Sequence, residues 1–141
     1  MPTSVSLAGD KGRAQPPPTV LVVDDDELVR EMAATFLSMQ GYRVIEAGSG
    51  DEAVAVLDGA GQIDVVFTDL CMPGRMDGVG LARWVRAHCP ETRVLITSGY
   101  TSGAQQVAEV SNGPLIPKPY QPEDVARRVQ ALAGEAGRTD G

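Results

Sequence analysis

Short apolar runs and amphipathic stretches alternate along the chain between Thr19 and Ala133. Val20-Leu21-Val22-Val23 is an uninterrupted apolar run ending in acids, and Arg43–Ala47, Asp64–Thr68, Arg93–Thr97 and Pro114–Ile116 repeat its type. Runs this short, rich in β-branched residues and free of polar alternation, predict strands buried on both faces of a parallel sheet. The stretches between them have helical spacing. Leu28, Met32, Phe36, Leu37 and Met39 fall near i, i+4, i+8 and predict a helix that ends before Gly41. Ala53, Val54, Val56 and Leu57 predict a second helix, and Leu81, Trp84 and Val85 a third, stopped by Pro90. A short fourth helix is predicted over Ala104–Val110, between Gly103 and Gly113. Val125, Val129 and Leu132 predict the fifth, with Pro122 near its first turn and Glu123 and Asp124 complementing its positive end. Strict alternation of strand and helix predicts an α/β fold: a doubly wound, five-stranded parallel sheet with right-handed crossovers and helices on both faces. Residues 1–18 contain Pro2, Gly9, Gly12 and Pro16-Pro17-Pro18 without apolar periodicity, and read as a flexible leader. Residues 134–141 read as a flexible tail, which leaves 19–133 as one domain.

Composition narrows the function classes. The 141 residues are 43% hydrophobic and 22% charged, which excludes wholesale disorder. Nineteen acids against 12 bases give a net charge of −7, which argues against a nucleic-acid partner. No apolar run approaches the ~20 residues of a membrane span, and the first residues lack a signal peptide's apolar stretch. Cys71 and Cys89 are too few for a disulfide scaffold and lack zinc-site spacing, so two free thiols in a reducing cytoplasm are expected. Residues 134–141 are too few for a DNA-binding module, and Met1 with its leader reads as a natural start.

In an open α/β sheet, ligands bind beyond the carboxyl ends of the strands. Asp24, Asp25 and Asp26 follow the first predicted strand, Asp69 the third, Thr97 and Ser98 the fourth, and Lys118 the fifth, between Pro117 and Pro119. Clustered carboxylates repel one another unless a cation sits between them. Oxygen donors with positions left over for water and a phosphoryl group suit Mg²⁺ rather than zinc. Taken singly, each residue has an ordinary explanation. The Asp24–Glu27 run suits a helix N-terminus, Asp69 an Asx turn before Met72-Pro73-Gly74, Ser98 a polar loop, and Lys118 a solvated one. Their joint placement at strand ends is what sets those explanations aside.

The same blocks resemble the receiver domain of two-component response regulators. They are Val20–Asp26, Thr68-Asp69-Leu70-Cys71-Met72-Pro73, Met76-Asp77-Gly78, Thr97-Ser98-Gly99-Tyr100 and Pro117-Lys118-Pro119, in the family's order. The resemblance covers Thr19 to Ala133 and implies a flavodoxin-like strand order 2-1-3-4-5. It implies that Asp69 accepts a phosphoryl group from a phosphohistidine on a histidine kinase or histidine phosphotransfer protein. It implies Asp25 as a direct Mg²⁺ ligand, Asp24 as the neighbouring acid on a metal-bound water, and Cys71 as a ligand through its backbone carbonyl. Asp26 falls outside that set and reads as a helix cap. Lys118 matches the lysine that pairs with the phosphoryl oxygens, and its bond to Pro119 is usually cis in this family. Counted from Asp77-Gly78, Ser98 rather than Thr97 takes the switch-hydroxyl position, since adjacent strand residues face opposite ways. Phosphorylation would then bias a surface formed by the fourth helix, fifth strand and fifth helix.

Two positions depart from the family pattern. Leu115 stands where an aromatic residue is common, so the aromatic–hydroxyl coupling does not operate in its usual form. Arg75 lengthens the loop beside Asp69, which looks more like stand-alone receivers or those of hybrid kinases. The reading is a phospho-accepting receiver that catalyses only its own phosphorylation and dephosphorylation, with an unspecified downstream protein target and no membrane partner. Two rivals stand beside it. One is a phosphorylation-independent interaction module of the same fold. The other is a phosphohydrolase with an aspartate nucleophile, for which Asp24-Asp25-Asp26 has an Asp-x-Asp spacing but continues into Glu27-Leu28. Trp84 and Met76 read as packing or loop residues, His88 as a solvated helix-end residue, and Arg127-Arg128 as a solvated face.

Overall fold

The computed structural model describes residues 17–59, 61–72, 74, 76–99, 107, 109–113 and 115–137, the last four by backbone alone. Five strands form one parallel sheet: β1 (Thr19–Val23), β2 (Arg43–Ala47), β3 (Val65–Asp69), β4 (Arg93–Ser98) and β5 (Ile116–Pro117). Their order is β2-β1-β3-β4-β5, the doubly wound arrangement expected. Among the described residues four helices are complete: α1 (Glu27–Met39), α2 (Gly50–Gly59), α3 (Gly78–His88) and α4 (Pro122–Gly137). Of the helix predicted over 104–110, the described residues Val107, Glu109 and Val110 are helical, and the rest lies outside the described residues, as do Arg75, Tyr100 and Pro114. Residues 134–137, expected to begin the tail, instead continue α4, and most of the predicted leader and the end of the tail lie outside the described residues.

Alternation along the strands divides the core into two layers. Leu21, Val23, Val66, Val94 and Ile96 face α2, α3 and the side chains of Val107 and Val110, while Val20, Val22, Val65, Phe67 and Leu95 face α1 and α4. Helix α1 differs from its predicted orientation. Its buried side is Ala33, Ala34 and Leu37, whereas Leu28, Met32 and Met39 are 72%, 64% and 75% exposed. The small alanines let the helix lie close to the sheet and leave the larger apolar positions on its outer side.

Local chemistry sets the helix ends. Asp26 caps α1, its carboxylate accepting the N–H groups of Leu28 and Val29. At the other end Gly41 adopts φ +100°. The Gly41 and Tyr42 N–H groups there donate to the carbonyls of Ser38 and Leu37, a Schellman closure. Ser49 and Glu52 close the start of α2: Glu52 N–H donates to Ser49 Oγ, and Glu52 Oε1 accepts from Gly48 N–H. Asp77 caps α3 through Gly80 N–H.

Candidate functional site

Parallel strands in register end at the same edge. Thr68 pairs with both Val23 and Ile96, and Asp69 with Thr97, so the residues that follow β1 and end β3 and β4 are neighbours. Asp69 is itself the last residue of β3, one position further than the predicted strand reached, and Ser98 likewise ends β4. The backbone at both positions is therefore set by the sheet rather than by a loop. Leu70 N–H donates to Thr97 O and Gly78 N–H to Leu70 O, both at 2.8 Å, pressing the start of α3 against the Asp69 backbone. A Cβ at Gly78 would lie 2.4 Å from Asp69 O, which explains a glycine here.

Lys118 enters from the other side. Its N–H donates to Ser98 O at 2.9 Å, anchoring it beside β4, and its bond to Pro119 is cis. The Lys118 ammonium lies 3.2 Å from Asp24 Oδ2 and 3.3 Å from Asp69 Oδ2. Asp24, buried after β1, also accepts Asp26 N–H through Oδ1 at 2.9 Å. Asp25 is exposed, and one carboxylate oxygen each from Asp24, Asp25 and Asp69 lie within 4.8 Å of one another. The Cys71 side chain is exposed, and among the described residues its thiol is not part of that cluster. Thr97 and Ser98 are both buried, but Thr97 Oγ1 donates to Ile116 O at 2.7 Å, which commits it to the β4–β5 pair.

The response regulator receiver domain model matches residues 20–130. The chain belongs to that family. Over 121 residues this receiver is 34% identical to the transcriptional regulatory protein ResD of Bacillus subtilis, covering 85% of this chain and 50% of that one. Over 118 residues it is 35% identical to the sensor kinase CckA of Brucella abortus, covering 81% of this chain and 12% of that one. The chain thus spans half the length of one curated relative and about an eighth of the other. The crystal structure of the response regulator protein TrrA from Thermotoga maritima, in complex with Mg²⁺-BeF, shares the fold: TM-score 0.74, 24% identity, covering 82% of this chain and 98% of that one.

The receiver's acidic pocket is electrostatically unbalanced. Three carboxylates face one ammonium, and burial, reinforced by Asp24 and Asp25, raises the Asp69 pKa above its ordinary value despite Lys118. Burial works against the Lys118 ammonium, but the Asp69 and Asp24 carboxylates outweigh it, so its pKa lies above the ordinary lysine value. The surplus negative charge and the all-oxygen donor set fit a hard divalent cation. Sequence reasoning brought Asp24, Asp25, Asp69, Ser98 and Lys118 to this edge and missed two contributors. Tyr120 packs edge-on against Phe67, with ring centroids 5.5 Å apart, and stands close enough to Asp24 and Asp69 to feel their charge. Arg30 donates to Asp24 O. Arg30 lies within α1, and Tyr120 lies in the loop after β5 but beyond the Pro117-Lys118-Pro119 block, so the strand-end rule selects neither.

Away from the pocket, Trp84 is partly buried against the α3-side core, and the exposed His88 ring stacks on it. Among the described residues, no helix is long and apolar enough to cross a membrane.

Proposed function

We propose that the chain accepts a phosphoryl group onto Asp69 from a phosphohistidine on a histidine kinase or histidine phosphotransfer protein, and then switches a surface that contacts a downstream protein. The observation that carries this reading is Lys118, whose ammonium sits between Asp69 at 3.3 Å and Asp24 at 3.2 Å in a pocket with carboxylate to spare. In the transfer, an Asp69 carboxylate oxygen attacks phosphorus. The O–P bond forms as the P–N bond to the imidazole breaks, and the electron pair of that bond stays on the imidazole nitrogen, which takes a proton from solvent.

Such a transfer depends on positioning and on neutralising charge spread over the phosphoryl oxygens. Lys118 supplies one positive charge. Asp24, Asp25, Asp69 and the Cys71 carbonyl would hold Mg²⁺, which supplies two more when bound. The Mg²⁺-BeF complex of TrrA supports that choice of metal. The aspartyl phosphate brings new acceptor oxygens. The Ser98 hydroxyl, at the end of β4 beside Lys118, turns toward them and biases the neighbouring β5 and α4 surface. Thr97 stays with Ile116. The chain transforms no other substrate than this donor and its own phosphoaspartate, and it works in the cytoplasm.

The test is intact mass after incubation with Mg²⁺ and acetyl phosphate, for the wild type and for Asp69→Asn. The expected result is one added phosphoryl group, dependent on Mg²⁺ and absent from the variant. A folded wild type that gains none from acetyl phosphate or from a phosphorylated histidine kinase sinks the reading in favour of a phosphorylation-independent interaction module.

A further inference from the structure

Asp24 and Asp25 share a peptide but sit in opposite settings, one 3% exposed and the other open to solvent. Four contacts fix Asp24. Its N–H donates to Ala47 O at 3.2 Å, its Oδ1 accepts Asp26 N–H at 2.9 Å and its Oδ2 meets Lys118 at 3.2 Å. The fourth comes from α1, where Arg30 Nη1 donates to Asp24 O at 3.0 Å. The same guanidinium donates through Nε to Glu46 Oε1 on β2, also at 3.0 Å. One rigid, planar fork thus ties the edge strand to the carbonyl just beyond β1. The Arg30 side chain is 18% exposed, and a Cβ at Gly48 would lie 3.3 Å from its Nη1, so the glycine leaves room for it.

The carbonyl that Arg30 holds belongs to the peptide plane whose other side is the Asp25 N–H. That plane is stiff, so holding its oxygen sets the direction in which Asp25 leaves the backbone. We infer that Arg30 is a positioning residue for the cation pocket: anchored on Glu46, it fixes the Asp24–Asp25 peptide so that the exposed Asp25 carboxylate faces Asp24 and Asp69. The inference rests on the Mg²⁺-dependent phospho-acceptor reading and adds to it a residue outside the acid cluster.

Charge alone predicts the opposite sign. A guanidinium near three carboxylates repels an incoming divalent cation, so neutralising it would tighten Mg²⁺ binding if its role were only electrostatic. A positioning role makes the same change weaken binding. The measurement is Mg²⁺ affinity by isothermal titration calorimetry on the full 141-residue chain. Wild type, Arg30→Gln, Arg30→Lys and Glu46→Ala are compared, with thermal melts alongside. Arg30→Gln is expected to bind Mg²⁺ about tenfold more weakly, the lower end of the range for losing a partner that orients a metal ligand. Arg30→Lys keeps the charge but loses the fork, and is expected to weaken binding too. Glu46→Ala, which removes the anchor together with one negative charge, should weaken it by a smaller factor. If Arg30→Gln does not fold, Arg30→Lys, which leaves the charge unchanged, decides. Affinities in the folded variants equal to or tighter than wild type overturn the inference. A wild type that binds no Mg²⁺ and gains no phosphoryl group instead overturns the functional reading beneath it, and the inference with it.

Discussion

Lys118 is the one ammonium within hydrogen-bonding distance of both Asp24 and Asp69 among the described residues. Removing it leaves Asp69 facing another buried carboxylate with no cation between them. Lys118→Ala is therefore expected to slow phosphoryl gain from acetyl phosphate by about 10²–10³-fold, the usual effect of losing one charge-stabilising donor. Intact-mass time courses check this, and a loss under tenfold would assign the neutralisation to the metal alone. Tyr120 reports the same field at high pH. Burial first, then Asp24 and Asp69, push its phenol from 10.0 up to about 12. Between those values the native state keeps a proton that the unfolded chain loses. The native state then binds more protons, so stability falls as pH rises through that interval. Melting temperatures taken between about pH 10 and 12 should decline less steeply for Tyr120→Phe than for wild type. Equal slopes would mean that the phenol keeps its ordinary pKa in the folded chain. At this scale the sequence was informative where chemistry follows topology. Asp24, Asp25, Asp69 and Lys118 each follow or end a strand, and a parallel sheet collects such residues whatever their side chains do. Arg30 and Tyr120 act through contacts set by the pairing of β1 with β2 and by the packing of Phe67, and spacing along the chain encodes neither.

Two glycines show how elements, rather than single side chains, hold the pocket. Gly41 closes α1 with φ +100°, and a Cβ added there would meet nothing within 4 Å, so its role is backbone conformation alone. Gly41→Ala should lower stability by about 1–3 kcal/mol through the left-handed backbone it must keep. Phosphoryl gain at Asp69 should be unchanged, because the substitution lies at the opposite end of α1 from Asp26. Gly78 differs: its φ is not in the left-handed region, and an added Cβ would sit 2.4 Å from Asp69 O and 2.8 Å from Leu70 Cα. Relief must come from moving α3 away from β3 or moving Asp69 itself. Gly78→Ala is expected to cost about 1–3 kcal/mol as an overpacked site and to reduce phosphoryl gain as well. Thermal melts and intact mass on both variants separate the two roles, and an unimpaired Gly78→Ala would show that α3 has room to retreat. Element types were legible from periodicity, and Gly41 and Pro122 marked ends correctly. The outward turn of Leu28, Met32 and Met39 was not legible. Their spacing fits an apolar face, and only the tight seating of Ala33 and Ala34 on the sheet shows which side is inward.

At the scale of the molecule, that outward stripe places apolar surface beside the acidic pocket. Met32 and Val29 line a groove of 330 Å³ whose other wall is Lys118, Pro119 and Tyr120, so it opens next to the lysine that meets Asp24 and Asp69. Leu28 lies one turn nearer the pocket on the same helix and is 72% exposed. A protein that delivers a phosphoryl group to Asp69 must cover the carboxyl edge of the sheet, and this stripe is apolar surface within its reach. A small acyl phosphate needs no such contact. Replacing Leu28 or Met32 by Asp is therefore expected to slow transfer from a phosphorylated histidine kinase that serves the wild type by about tenfold or more, the effect of losing a central apolar anchor. Gain from acetyl phosphate should stay at the wild-type rate. Met39 supplies the internal control. It is equally apolar and 75% exposed, but lies seven residues further along α1, about 10 Å more distant from the pocket. Met39→Asp should leave both reactions unchanged. Loss of the small-donor reaction in Met32→Asp would mean that the substitution disturbs Lys118 rather than a docking surface. Equal slowing by all three variants would mean that the partner reads the net charge of α1 and not the groove.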